Sequence, residues 1–304
     1  MNYCTTVPKT KINAVPRIIV IGDIHGDWAA LKSALRVAKV TNHHNDWTGG
    51  DTHVVQVGDL IDRAVRGGVG DEKSESKILN HLLSLKQKAQ SSGAGGDVHL
   101  LLGNHELMNV AGDFRYVSPM GYTDFDGKRK AMFAPGGSIA KKLACNTNSV
   151  VQIGSWVFSH AGITTDVAKK YSPEQINTTV RNYLLGNRHM NRDHPIMDIF
   201  WHRKYSNEGT CGAVKEALKY WSARNMAIGH TVQNQGINSL CNRSLWKVDI
   251  GMSDAFGQCS SSQDYLRYDD GEDDLNGKCI EVLEILDDGD IINILKGRKY
   301  VKIN

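Results

Sequence analysis

Three short apolar runs along the first third of the chain each end in a polar tip. Ile18 to Ile21 stops at Gly22-Asp23-Ile24-His25-Gly26, Val54 to Val57 at Gly58-Asp59-Leu60-Ile61-Asp62-Arg63, and Val98 to Leu102 at Gly103-Asn104-His105-Glu106. Runs of this length, rich in β-branched residues and bounded by glycine, predict buried strands. Between them the apolar period changes. Trp28, Leu31, Leu35 and Ala38 recur at near-helical spacing after Asp27, and Ile78, Leu82 and Leu85 share one face of a helix expected over residues 77–90. Strand, polar tip and helix repeated three times predict parallel strands with helices outside and ligands at the carboxyl ends of the strands. All three tips then lie along one sheet edge and deliver Asp, His, Arg, Asn and Glu side chains to one place.

The pattern is less regular further on. Residues 108–135 read as aromatic, polar and loop-rich, with room for one short helix, followed by another short helix over Ile139 to Cys145. Val150 to Ile153 and Trp156 to Ser159 predict a hairpin turning at Gly154-Ser155, its second strand ending at His160-Ala161-Gly162. Ser172-Pro173-Glu174 signals a helix start. Residues 186–195 are a polar insertion, and 213–225 read as a helix. Met226 to Ile228 predict a strand ending in Gly229-His230-Thr231, and Ser244 to Ile250 another. Residues 253–277, acidic and rich in Ser and Gly, predict a surface loop. Asp287-Asp288-Gly289-Asp290 predicts a closing hairpin. With no repeat and no linker, the expected organisation is an extended lead-in over residues 1–16 and one domain over 17–304.

Composition narrows the classes. The 304 residues are 40% hydrophobic and 23% charged, with a net charge of +3, enough for a large core and too nearly neutral to imply nucleic acid or a membrane surface as partner. No apolar run approaches the ~20 residues of a transmembrane helix, and Met1 to Arg17 has no signal-peptide core. The expected location is therefore cytoplasmic. Six cysteines (Cys4, Cys145, Cys211, Cys241, Cys259, Cys279) show no paired spacing. The expectation is free, reduced thiols, the alternative a disulfide among Cys241, Cys259 and Cys279.

The blocks at Asp23, Asp59, Asn104, His160 and His230, in that order, resemble the calcineurin-like metallophosphoesterases and within them the phosphoprotein phosphatases. Phe200-Trp201-His202-Arg203 and Val248-Asp249-Ile250-Gly251-Met252-Ser253 resemble elements of the Shewanella-like phosphatases. Two departures stand out. Ala64 follows Arg63 where conventional Ser/Thr phosphatases have Gly, and their Ser-Ala-Pro-Asn-Tyr segment is absent.

The resemblance implies an α/β fold, a central β-sandwich flanked by helices. It implies two divalent metal ions (Mn, Fe, Zn or Co) about 3.5–4 Å apart. Asp23 and His25 would bind the first, Asp59 would bridge, and Asn104, His160 and His230 would bind the second. Arg63, Arg203 and the Asn104 amide would hold phosphate oxygens. His105 would protonate the leaving group with Asp62 orienting its ring, and Glu106 would fix Arg63. The implied reaction is an in-line attack on phosphorus by metal-bound hydroxide, with inversion and no phosphoenzyme. These residue types suit that chemistry. Asp is a hard, bridging oxygen ligand, neutral His adds no negative charge, and Arg matches phosphate with a charged fork. The implied partner is a phosphorylated protein or peptide, on Ser/Thr or Tyr. The alternatives are a small-molecule enzyme such as a dinucleoside polyphosphate hydrolase, or an inactive scaffold that binds phosphoproteins.

Overall fold

The computed structural model describes residues 3–64, 71–256 and 280–296, and the backbone of 299–303. Its strands are β1 (Lys11–Ile12), β2 (Arg17–Ile21), β3 (His53–Gln56), β4 (Asp97–Leu101), β5 (Thr147–Asn148), β6 (Val150–Ile153), β7 (Trp156–Ser159), β8 (Asn225–Ile228), β9 (Asn238–Leu240), β10 (Leu245–Lys247), β11 (Glu281–Leu286), β12 (Ile291–Lys296) and β13 (Lys299–Ile303). They form a seven-stranded sheet in the order β13-β12-β11-β2-β3-β4-β5 and a six-stranded sheet in the order β1-β6-β7-β8-β10-β9. One hydrophobic cluster takes residues from both sheets, with Ile19, Val54 and Val98 from the first and Val157, Ala227 and Trp246 from the second. Among the described residues no helix is long and apolar enough to cross a membrane.

The tripled motif is the centre of the first sheet. β2, β3 and β4 are parallel neighbours, with Ile18 opposite His53 and Val54 opposite Val98. Their helices follow the tips: α1 (Trp28–Val37), α2 (Glu75–Ser91) and α3 (Asn104–Val110). Asp27 caps α1 by accepting from Ala30 N at 2.8 Å, a bond that satisfies one otherwise orphaned N–H. In the second sheet β7 and β8 are also parallel neighbours, so the tips after Ser159 and Ile228 lie side by side.

Several segments differ from the sequence reading. Inside the expected lead-in, Lys11 and Ile12 pair parallel with Gln152 and Ile153. The loop-rich span 108–135 contains two short helices, Pro119–Thr123 and Arg129–Phe133, where the sequence left room for one, and Thr165–Lys170 forms a helix that too short a period left invisible. A third antiparallel strand, Lys299–Ile303, extends the closing hairpin. Of the loop expected over residues 253–277, residues 257–277 lie outside the described residues. The free-thiol expectation is corrected: Cys4 bonds Cys145 and Cys211 bonds Cys241. The partners are 141 and 30 residues apart, so only folding brings them together. Cys259 and Cys279 lie outside the described residues.

Candidate metal centre

Backbone geometry at the tips is unusual. His25 (φ 44°), Asp59 (φ 53°), Asp62 (φ 70°) and His230 (φ 68°) all occupy the left-handed region, which costs of the order of 1–3 kcal/mol at a non-glycine residue. The neighbouring tips hold them there. Ile24 N and His25 N both donate to Asp59 O (3.0 and 2.9 Å), and Gly26 N donates to Leu60 O (2.8 Å). Glycines make the room. A Cβ on Gly103 would stand 2.1 Å from Asp59 Oδ1, and one on Gly229 would stand 2.2 Å from Asp23 Oδ1.

Asp23, His25, Asp59, Asn104, His160 and His230 are all buried and converge. Asp59 Oδ2 lies 3.7 Å from His25 Nε2, 3.3 Å from His160 Nε2 and 3.9 Å from His105 Nε2. His160 Nε2 is also 2.9 Å from Asn104 Oδ1 and 3.1 Å from His230 Nδ1. Asp23 Oδ2 is 4.0 Å from His25 Nε2, and both its oxygens face His230 N (3.3 and 3.1 Å). The two compact donor groups are His25, Asp59 and His105, and Asp59, His160 and His230, with Asp59 common to both. His105 enters the first group by proximity, but its Nδ1 is committed to Asp62.

The far nitrogen of each histidine fixes its ring. His160 Nδ1 faces Val57 O at 2.9 Å, His25 Nδ1 faces Ile61 O at 3.2 Å, and His230 Nε2 faces Trp201 O at 3.2 Å. Each carbonyl can only accept, so each of those nitrogens carries the proton and the other turns a lone pair inward, the arrangement that metal-ligating histidines adopt. His160 Nε2, His230 Nδ1, Asn104 Oδ1 and Asp59 Oδ2 then meet as acceptors facing acceptors. That contact is repulsive without a positive charge among them. Without a cation, a proton supplies it: although burial opposes charging, Asp59 beside it raises the His160 pKa. Burial likewise works against Asp59, but His160, His105 and His25 hold it well below the usual carboxylate range. Burial and then His160 push His230 down to about 3. Burial, Asp249 and Asp59 raise Asp23. A set of hard oxygens and imidazole nitrogens short of positive charge fits divalent cations.

The remaining residues separate into two groups. His105 Nδ1 is 2.8 Å from Asp62 Oδ2, as expected from the sequence. Glu106 does not meet Arg63 as expected: its oxygens accept from the backbone N–H groups of Asp59 (3.0 Å), Leu60 (2.8 Å) and Gly103 (2.7 Å). It therefore clamps the tip that carries Asp59. Arg63 Nη1 lies 3.1 Å from both Asp27 Oδ2 and Glu72 Oε1. Arg203 is exposed, and its Nη1 donates to His230 O (2.9 Å) and Thr231 Oγ1 (3.0 Å). The Asn104 amide nitrogen is 3.9 Å from Met108 Sδ.

Sequence reasoning placed Asp249 in a family-like block without giving it a role, and missed Arg129. Asp249 is buried close enough to raise Asp23 and is itself pushed up to about 6 by burial and by Asp59. Arg129 is buried against Asp62, with Nη2 at 2.8 Å from Oδ1. It stands in the basic run Lys128-Arg129-Lys130, which reads as a solvated surface.

Comparison with known proteins agrees with this geometry. A family model for the calcineurin-like phosphoesterases matches residues 16–234. The chain is 32% identical to Shewanella-like protein phosphatase 2 of Arabidopsis thaliana, over 81% of this chain and 73% of that one. It is 29% identical to Shewanella-like protein phosphatase 1 of Plasmodium berghei, over 84% and 72%. Among solved structures, the cold-active protein-tyrosine phosphatase of a psychrophilic Shewanella species superimposes with a TM-score of 0.78 at 20% identity, over 98% of this chain and 83% of that one. A protein serine/threonine phosphatase of Saccharomyces cerevisiae superimposes with a TM-score of 0.62 at 14% identity, over 99% and 88%. At those identities the superpositions speak for the fold. With the matched family model and the Arabidopsis relative, the chain belongs to the calcineurin-like phosphoesterases, on their Shewanella-like protein phosphatase branch, and is a phosphoester hydrolase.

Proposed function

We propose that this chain is a dinuclear, metal-dependent phosphomonoesterase acting on phosphorylated protein side chains. The observation that carries the reading is the convergence of His160 Nε2, His230 Nδ1, Asn104 Oδ1 and Asp59 Oδ2, with the far ring nitrogens held by Val57 O and Trp201 O. Asp23 and His25 would hold one divalent ion, Asn104, His160 and His230 the other, with Asp59 shared. Mn, Fe and Zn all suit these donors. When bound, the ions acidify a water and neutralise charge on the transferring phosphoryl group.

The chain's own residues supply the rest. Arg203 would grip phosphate oxygens with its planar fork, and Arg63 would join it on exchanging its contacts to Asp27 and Glu72 for phosphate. Asp62 accepts from His105 Nδ1, which leaves Nε2 as the nitrogen facing the site. A proton on Nε2 would pass to the departing alkoxide, a poor leaving group without an acid beside it. A protein substrate is supported by the Arabidopsis and Plasmodium relatives, both named as protein phosphatases. The two disulfides bear on location. Such bridges persist in oxidising compartments, which argues against the cytoplasmic residence expected from the sequence.

The test is turnover of phosphoserine, phosphothreonine and phosphotyrosine peptides and of diadenosine tetraphosphate, with Mn added and with metal chelated. Peptide turnover that needs metal is expected. Faster turnover of diadenosine tetraphosphate would move the assignment to small-molecule substrates. No turnover of any phosphoester by protein loaded with two metals would leave a binding scaffold instead.

A further inference from the structure

His105 is the end of a buried chain of polar contacts that reaches well beyond the metal donors. Asp62 gives Oδ2 to His105 Nδ1 (2.8 Å), and Oδ1 accepts from Asn109 Nδ2 (2.9 Å) and Arg129 Nη2 (2.8 Å). Arg129 uses the other corners of its fork on Glu75 Oε2, on Gly121 O (3.1 Å) and, through Nε, on Asn109 Oδ1 (2.7 Å). Glu75 Oε1 accepts from Asp62 N (2.9 Å), and Asn109 Nδ2 also donates to His105 O (2.9 Å). Asp62, Glu75 and Asn109 are 0% exposed and Arg129 2%. The guanidinium lies against a pair of edge-to-face aromatic rings, 5.4 Å from the Phe125 centroid and 5.2 Å from that of Phe133. The fork thus ties the N-terminus of α2, the C-terminal end of α3 and the helix Arg129–Phe133 to the Asp59–Arg63 tip.

We propose that Arg129 is the positioning residue for His105, acting through Asp62. The inference rests on the reading of His105 as the acid for the leaving group. A carboxylate's terminal torsion is broad by itself. Contacts to both Asp62 oxygens and its backbone N–H remove that freedom, and with it the freedom of the His105 ring. Lysine cannot replace the guanidinium here, because a single ammonium has no planar fork to span Asp62, Glu75 and Asn109 together.

The experiment is a cycle of Arg129→Lys and His105→Ala, read with a phosphoserine peptide and with 4-nitrophenyl phosphate on metal-loaded enzyme. A substitution remote from the reacting atoms that misplaces an acid costs of the order of 10–100-fold. Arg129→Lys is therefore expected to lower kcat on the peptide by about that factor, with KM held, and on the aryl ester by less than about threefold, because a good leaving group needs no acid. In the His105→Ala background the same substitution is expected to change neither rate beyond about twofold, as for residues that act as one unit. An equal fall on both substrates, or the same fall with and without His105, overturns the positioning role and leaves a structural one. If His105→Ala alone falls equally on both substrates, the acid assignment fails first and the inference goes with it. Should Arg129→Lys not fold, Glu75→Gln loosens the far side of the fork without leaving a cavity. It is then held to the same pattern of substrate and background, and an equal fall on both substrates again overturns the role.

Discussion

The edge of the seven-stranded sheet opposite the metal donors carries a pair of buried histidines whose effect on stability has a definite sign. His53 begins β3 and His99 lies within β4. His53 Nε2 faces Gly95 O at 3.1 Å, and its Nδ1 lies 2.9 Å from His99 Nε2. The carbonyl makes Nε2 the protonated nitrogen of His53, so Nδ1 accepts from His99. Asp97 Oδ2 is 3.9 Å from His99 Nε2, and Lys86 binds Asp97 Oδ1 at 2.9 Å, which spends much of that carboxylate's charge. Burial wins: it pushes His99 down to about 3, with Asp97 opposing and Lys86 and His53 assisting, and burial lowers His53 as well.

An unfolded histidine takes its proton near 6.5. Between that pH and about 3 the unfolded chain therefore binds a proton that the folded chain refuses, so stability falls as pH falls. The slope approaches 1.4 kcal/mol per pH unit, and lowering the pH from 7.5 to 5 should remove about 2 kcal/mol through His99. The perturbation is His99→Gln, which keeps a polar partner for His53 Nδ1 and cannot titrate. Urea unfolding of both proteins at pH 7.5, 6.5, 5.5 and 5 gives a difference in which the shared carboxylates cancel. The wild-type advantage should shrink by about 2 kcal/mol across that range. A difference that stays constant would refute the reasoning, because His99 would then accept its proton as readily folded as unfolded.

Glu106→Gln places an amide N–H₂ against backbone N–H groups that now donate to a carboxylate. Metal affinity measured against a chelator should fall about 10–100-fold, as for other partners that orient a metal ligand, and unchanged affinity would deny Glu106 its clamp. Asp59→Asn should lose both metal content by elemental analysis and nearly all turnover. A variant with wild-type metal content and rate would remove Asp59 from its shared position. Reduction should destabilise the fold more through Cys4–Cys145 than through Cys211–Cys241. Chain entropy over separations of 141 and 30 residues gives upper values of about 5 and 3.6 kcal/mol. Denaturation of Cys4→Ser and Cys211→Ser with and without reductant orders the two, and a reversed order would show that native-state effects outweigh loop closure.

The parts of the molecule that were legible from sequence are those where one local rule suffices. β2, β3 and β4 announced themselves because a strand buried on both faces is a continuous apolar run, and each tip followed in register with its glycines. The helix at Pro173–Leu184 was legible from its cap, and Ser172 and Gln175 do form the reciprocal capping box. The two-residue strands Lys11–Ile12 and Thr147–Asn148 were not, since two residues carry no period and exist only because a neighbour pairs with them. Glu106 was read toward Arg63 because opposite charges attract on paper. In the fold, three backbone N–H groups at two neighbouring tips made the stronger claim on it. Arg129 carried no signal, because nothing local distinguishes a buried arginine from the two lysines beside it. Its role exists only once Asp62 and Glu75, 67 and 54 residues away in sequence, arrive at the same point.

The donor cluster also explains why the two sheets meet where they do. Each sheet alone ends in tips with strained backbones and buried ionisable groups, and both features work against folding. Across the interface, His160 at the end of β7 reaches Val57 O at the end of β3, and His230 N after β8 reaches the Asp23 carboxylate after β2. The contacts that aim the ligands are therefore the contacts that join the sheets at this edge. A cation bound between them would be linked to folding by mass action, about 2.7 kcal/mol at one hundred times its dissociation constant. That is comparable with the cost of one or two left-handed residues. On the proposed reading, the strain at His25, Asp59, Asp62 and His230 is the local expense of holding acceptors against one another, and a cation at that point would make the arrangement stable as well as reactive.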